Sequence, residues 1–224
     1  SAETVLVVQD SGSIVTRLSP LLVSWPAFLG GTAVVVGTGV AASNIRVSVA
    51  ASGATAASSG LLRSGNTTGL SRGSSKGLIN WARRMMFHFR LSVESSSANG
   101  VCRITVGKTT ADGAGNLVRR GVGIRVANLA LTGHVHNGTS ATTTGTLATL
   151  TTNQVYDVLI VSRGTGTVEW FVDGASVGTS TGGPTTASAA GECNFYMEAE
   201  NNADALANTL YVHEVGYAEA VSYL

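Results

Sequence analysis

Charge is what this chain most lacks. Only 12% of its 224 residues are Asp, Glu, Lys or Arg, against about a quarter in an ordinary globular protein. Proline is scarce, at three residues, and aromatics reach only 6%. Two cysteines, Cys102 and Cys193, are too few to staple a chain of this size. They either pair across the fold or stay as buried free thiols, and buried thiols are the favoured reading. Long apolar runs are missing as well. The stretch Leu21 to Leu29 is broken by Ser24 and Pro26, so it falls short of the ~20 apolar residues that span a bilayer. No membrane contact is expected. The opening SAETVLVVQD has no basic stretch ahead of an apolar one, so no secretory signal is expected.

Glycine (28 residues), Ser, Thr and Ala fill the space. A neutral, hydroxyl-rich surface desolvates cheaply and suits broad protein–protein contacts. The length fits one large all-β domain or two small ones. The few charges are unevenly placed. Residues 1–125 hold 13 Lys+Arg and 4 Asp+Glu, a balance of +9, while residues 126–224 hold Arg163 alone against 9 acids, a balance of −8. The halves can meet within one sandwich or between copies of it. Direct nucleic-acid binding is not expected, because the acidic half opposes it and no stacking aromatics accompany the arginines.

Turns and alternation carry the strongest structural signal. Residues 155–179 read VYDVLIVSRGTGTVEWFVDGASVGT. Strand-like runs at Val155 to Ser162, Thr167 to Val172 and Ala175 to Thr179 are separated by Gly164-Thr165-Gly166 and Asp173-Gly174. Asp-Gly between alternating runs marks a type I′ hairpin, which needs positive φ at both central residues. Further strands are expected at Arg84 to Val93, Val101 to Val106, Gly121 to Val126, Leu129 to His136, Leu147 to Leu150, Cys193 to Glu200 and Leu210 to Tyr217. In the first of these, Phe87, Phe89, Leu91 and Val93 face inward; a helix over Leu78 to Met86 competes with its start. Turn signals every 8–12 residues or so suit a sandwich.

Residues 1–75 read differently. Short apolar runs, Val34-Val35-Val36 and Val47-Ser48-Val49 among them, are split by Gly, Ser and Ala. The stretch from Ala50 to Ser75 is too low in bulk to offset its own ordering entropy. We read residues 1–75 as an extended N-terminal arm that orders against the sandwich or a neighbouring subunit, the alternative being extra strands of the same domain. Trp25 and Phe28 are its candidate interface anchors, since Trp is enriched at interface hot spots. Residues 76–224 form the sandwich.

From Trp81 to Glu219 the pattern resembles the concanavalin A-like lectin/glucanase jelly roll, laminin-G-like domains included. The residues that carry this are Tyr156 to Ile160, Val168-Glu169-Trp170-Phe171-Val172-Asp173-Gly174, Val177-Gly178-Thr179 and the closing Leu210 to Val215. The resemblance implies an antiparallel jelly-roll β-sandwich and leaves function open among lectins, glycanases and non-enzymatic virion or adhesion modules. Gly121 to Arg125 together with Thr167 to Gly183 also resembles domains of tailed-phage structural proteins.

Chemistry is thin. A retaining glycanase needs two carboxyls about 5–5.5 Å apart. Glu198-Ala199-Glu200 places two acids on one strand face, but the further acids expected of such enzymes are absent, and a solvated acidic strand end is the favoured reading. Calcium wants six to eight oxygens; Glu200, Asn201, Asn202 and Asp204 are weak candidates. His134 and His136 share a strand face without a third ligand nearby in sequence. No Gly-x-Ser-x-Gly elbow or phosphate-binding loop of Walker form occurs. No cofactor is expected. Trp170 and Phe171 are adjacent, so one faces inward; an outward Trp170 beside Glu169 and Arg163 would make a sugar-stacking surface, while a core Trp170 is the favoured reading.

These features together predict a non-enzymatic virion structural protein, a capsid decoration (cement) protein or fibre module. It would be made in the host cytoplasm, assemble as a homo-oligomer and contact other virion proteins such as the major capsid protein. The alternative is a carbohydrate-binding lectin-like module with a glycan partner, with a glycanase third.

Overall fold

The computed structural model describes residues 32–36, 40–43, 48–53, 58–63, 80–109, 117–187, 195–201 and 206–219. Fourteen strands lie among them, all in antiparallel pairs: β1 (Thr32–Val36), β2 (Val40–Ser43), β3 (Ser48–Ala51), β4 (Ser58–Arg63), β5 (Met85–Ser95), β6 (Val101–Thr109), β7 (Leu117–Ala127), β8 (Ala130–His136), β9 (Ala141–Thr149), β10 (Val155–Ser162), β11 (Val168–Val172), β12 (Ala175–Ser180), β13 (Phe195–Asn201) and β14 (Thr209–Glu219). They form two seven-stranded sheets, β1-β4-β13-β6-β7-β8-β9 and β12-β11-β10-β5-β14-β3-β2. This is an all-β jelly-roll sandwich. Among the described residues no helix is long and apolar enough to cross a membrane.

Alternation builds the two inner faces. Phe87, Phe89, Leu91 and Val93 of β5 meet Ile104, Val106, Val122, Ile124, Val126, Leu131 and Val135 of the opposite sheet in one buried cluster. Cys102 lies in the same cluster as a free thiol. Its pKa is pushed up to about 12 by burial, with Glu198 adding to the rise and Arg103 opposing it. Such a thiol packs as a small hydrophobe and is a poor nucleophile. Cys193 lies outside the described residues.

Trp170 joins the sheets. Its ring, fully buried on β11, crosses the core, and Nε1 donates to the Gly123 carbonyl on β7 at 3.1 Å. Gly133 on β8 makes room, since a Cβ there would sit 2.5 Å from the indole Cζ2. Trp170 is therefore a core residue; an outward ring would expose its large apolar surface and lose this bond. Phe171 takes the outward place.

The Asp173-Gly174 turn has φ of +49° and +82°, the two positive values that a type I′ hairpin requires. A second such turn, Asn128-Leu129 with φ of +48° and +61°, joins β7 to β8. Bulges close the edge where β9 and β12 lie against each other. Leu147 is the extra residue on β9 and Val177 on β12, and both pack against the core. Bulges of this kind twist an edge away from further pairing.

Part of the segment read as an arm is sheet. β1 and β4 extend one layer and β2 and β3 the other, as the extra-strand alternative has it for these four strands. Ladder hydrogen bonds with β13 and β14 supply what small side chains do not. Residues 1–31 lie outside the described residues. Over 81–84, where a helix competed, the chain turns before entering β5.

Replacing Trp170 with Phe should lower stability by about 2–3 kcal/mol, through lost volume and an unmet Gly123 carbonyl. Urea unfolding measures this, and an unchanged midpoint would remove Trp170 as the tie between sheets.

Candidate functional site: two outer faces

The chemistry-bearing residues singled out in the sequence converge on the outer face of the first sheet. One row across it runs Tyr196, Thr105, Gly123, His134, Thr143. The next runs Glu198, Arg103, Arg125, Thr132, Thr146. This face is closed over, because Glu198, Thr105, Arg103 and His134 retain only 0%, 0%, 4% and 5% of their surface.

Arg103 and Glu198 are cross-strand partners. Arg103 Nη1 donates to Glu198 Oε2 at 2.9 Å and to Glu200 Oε2 at 2.5 Å. The acid pair does share a face, as a period of two requires. It is not the solvated strand end expected from the sequence, because Arg103 stands opposite and draws both carboxylates down. A glycosidase pair flanks the scissile bond; here both acids turn to one guanidinium nitrogen. This arrangement builds a clamp between β13 and β6.

The metal candidates do not assemble. Asn201 is buried, and its Nδ2 donates to the Gly53 carbonyl at 3.0 Å and the Leu206 carbonyl at 3.1 Å. Glu200 is held by Arg103, and Asn202 and Asp204 lie outside the described residues. His134 Nδ1 shares a 3.1 Å hydrogen bond with Thr143 Oγ1, and His136 Nδ1 accepts from the Gly138 amide at 2.9 Å. Among the described residues no group of three or more His, Cys, Asp or Glu could hold a metal ion. Burial lowers the Arg125 pKa, and nearby Arg103 adds to the effect.

The outer face of the second sheet is mixed: Met86, Leu159 and Val161 are buried on it, while Asp157 and Ser176 are exposed. Ser176, Phe171, Leu159 and His88 stand side by side across β12, β11, β10 and β5. Phe171 is half-buried and rests on Met86, Leu159 and Val161, so its ring is held in place. Beside it Arg163 Nη2 donates to Glu169 Oε2, and Ser176 Oγ donates to Glu169 Oε1 at 2.9 Å. On its other flank His88 Nε2 meets Asp157 Oδ1 at 3.0 Å. Trp170 is in the core, as the favoured reading had it, and the aromatic beside Arg163 and Glu169 is Phe171. A two-residue period from Glu169 points to Phe171, and the adjacent, larger Trp170 masked it. Trp25 and Phe28 lie outside the described residues.

No protein-family profile and no curated protein sequence matches the chain. Solved structures do. A Shewanella oneidensis protein of unknown function superposes with a TM-score of 0.56 at 15% identity, over 86% of this chain and 79% of that one. A botulinum neurotoxin type C, whose uptake into cells depends on interaction with two ganglioside molecules, gives a TM-score of 0.52 at 9% identity, over 86% of this chain and 44% of the toxin chain. A sialidase gives a TM-score of 0.52 at 8% identity, over 83% of this chain and 17% of that one. The chain spans under half the length of the toxin structure. These likenesses establish the β-sandwich fold.

Burial, with Arg125, Arg103 and His136 nearby, lowers the His134 pKa from 6.5 to about 4. Unfolding restores the ordinary value, so the unfolded chain binds the proton first as pH falls. The stability from neutral His134 is complete above pH 6.5 and is lost between there and pH 4, up to about 3 kcal/mol. His213, lowered by burial and Arg90, acts in the same direction. Urea unfolding at pH 7.5 and 4.5 should show a large drop in the native protein and a much smaller one in H134Q. Equal drops would acquit His134.

Proposed function

We propose that the protein is a non-enzymatic, carbohydrate-binding β-sandwich module, and that the glycan lies on the outer face of the second sheet around Phe171. One observation carries this reading. A partly buried aromatic ring, packed on three apolar side chains, stands between the Arg163–Glu169–Ser176 network and the His88–Asp157 pair. The apolar side of a sugar ring stacks on such an aromatic face, and its hydroxyls meet ionised groups whose hydrogen bonds are stronger than neutral ones. The groups are already oriented, so little ordering entropy is lost on binding. The structural neighbours with glycan-linked roles, the ganglioside-dependent toxin and the sialidase, lend this reading loose support through their fold.

A second reading, a virion structural module for capsid decoration or a fibre, rests on composition. The scarcity of charge leaves a hydroxyl-rich exterior suited to protein contacts. The split charge lends that reading less weight, because Arg103 from the basic half meets Glu198 and Glu200 of the acidic half within one chain, as His88 meets Asp157.

The glycan reading is tested on an array of neutral and sialylated oligosaccharides, followed by calorimetry on the best ligand. F171A should weaken binding about tenfold or more, while F171L, which preserves packing on Met86 and Leu159, should fold normally and bind weakly. No retained glycan, or full affinity in both variants, would overturn it.

A further inference from the structure

In an Asn-Gly dipeptide the asparagine side chain is open to attack by its own backbone, because the amide that follows bears no side chain to shield it. The chain has two, Asn99-Gly100 and Asn137-Gly138, and the fold treats them differently. Both asparagines are exposed. At the first, the glycine is buried and its amide donates to Ser97 Oγ at 3.0 Å. A Cβ at Gly100 would stand 1.8 Å from Asn208 Nδ2, so the backbone there is packed tight. A serine hydroxyl is not a general base.

The turn between β8 and β9 is built otherwise. The Gly138 amide donates to His136 Nδ1 at 2.9 Å. Nδ1 accepts, so it carries no proton and can take one. Asn137 Oδ1 accepts from two backbone amides, Thr139 at 2.8 Å and Ser140 at 2.9 Å. Two donors aimed at one carbonyl oxygen stabilise the negative charge that attack on Cγ would place there. Asn137 Nδ2, the group that would leave, donates to Ser140 Oγ at 3.3 Å, the longest bond of the set. Arg120 lies against the turn: a Cβ at Gly138 would stand 3.3 Å from its Cζ. A guanidinium this close favours loss of the amide proton and favours a carboxylate product. Gly138 has φ of +110°, a conformation that glycine takes without strain.

We infer that Asn137-Gly138 is a self-modification site, at which the side chain cyclises onto the backbone with His136 as the base. Gly138 N gives its proton to His136 Nδ1 and bonds to Asn137 Cγ, and the electron pair of the C=O bond moves onto Oδ1. That pair returns, the Cγ–Nδ2 bond breaks, and the nitrogen leaves as ammonia with the proton that His136 held. A cyclic imide remains. Water opens it at either carbonyl, leaving an aspartate or its β-linked isomer at position 137. The turn gains a carboxylate beside Arg120, and water is the sole co-reactant. The assignment does not depend on the glycan reading.

The test uses the full chain with nothing added. Asn99 and Asn137 fall on different tryptic peptides, since Arg103, Arg119, Arg120 and Arg125 lie between them, so mass spectrometry follows both sites in one sample. Folded protein in neutral buffer should convert Asn137 at least about tenfold faster than Asn99, with the imide and both aspartyl isomers accumulating at 137. Unfolding in urea should slow Asn137 and bring the two rates together. H136Q, whose amide oxygen accepts from Gly138 but is no base, should slow Asn137 by about tenfold or more. A urea midpoint checks that this variant folds, and the folded-against-unfolded comparison of the native chain decides if it does not. Equal rates at the two sites in folded protein, an Asn137 rate no higher folded than unfolded, or the full rate in folded H136Q would overturn the assignment. The hydrogen bonds of the turn would then lock the side chain instead of activating it.

Discussion

One arginine holds this structure in register. Arg103 Nη1 reaches both Glu198 and Glu200 across the β6–β13 pairing. Sliding β13 by one residue would exchange its faces, sending Glu198 into the core and Met197 outward. Buried charges do little for net stability, but they penalise every arrangement in which they are left unmatched. Here the matched arrangement is the one that places Met197 and Ala199 against the core cluster. The same clamp decides how the acids are read. Side chains that a sequence offers as catalytic carboxylates are engaged in holding two strands together.

With that face closed, the glycan site we propose lies on the other layer. The second sheet keeps its centre apolar beneath Phe171 and its flanks polar. Trp170 and Phe171 divide the work of one dipeptide. The indole ties the layers together through Gly123 and Gly133, and the phenyl ring faces out beside Glu169. The tie between the layers and the proposed recognition surface thus fall on adjacent residues of one strand, which pleating sends to opposite faces.

The meander from Val155 to Ser180 was legible because alternation and Asp-Gly are local signals, and the observed strands match the expected ones within a residue or two. Legibility failed where the cause is not local. β9 begins at Ala141, well before the Leu147 to Leu150 run, because its threonines are paired by β8 and kinked by bulges that no short pattern reveals. The Asn128-Leu129 turn has no glycine to announce it. Strands β1 to β4 have too little bulk to declare themselves and gain order from β13 and β14. The acid pair showed its shared face in the sequence, but its partner Arg103 lies 95 residues upstream of Glu198. The charge split between the halves was the trace of that partnership.

A double-mutant cycle between Arg103 and Glu198 tests the central claim most directly. R103M should cost about 3–5 kcal/mol in urea unfolding, because it strands two carboxylates, whereas R103M/E198M should regain most of that loss. Additive costs, or an R103M protein within about 1 kcal/mol of the native one, would contradict the clamp and reopen the acids to chemistry.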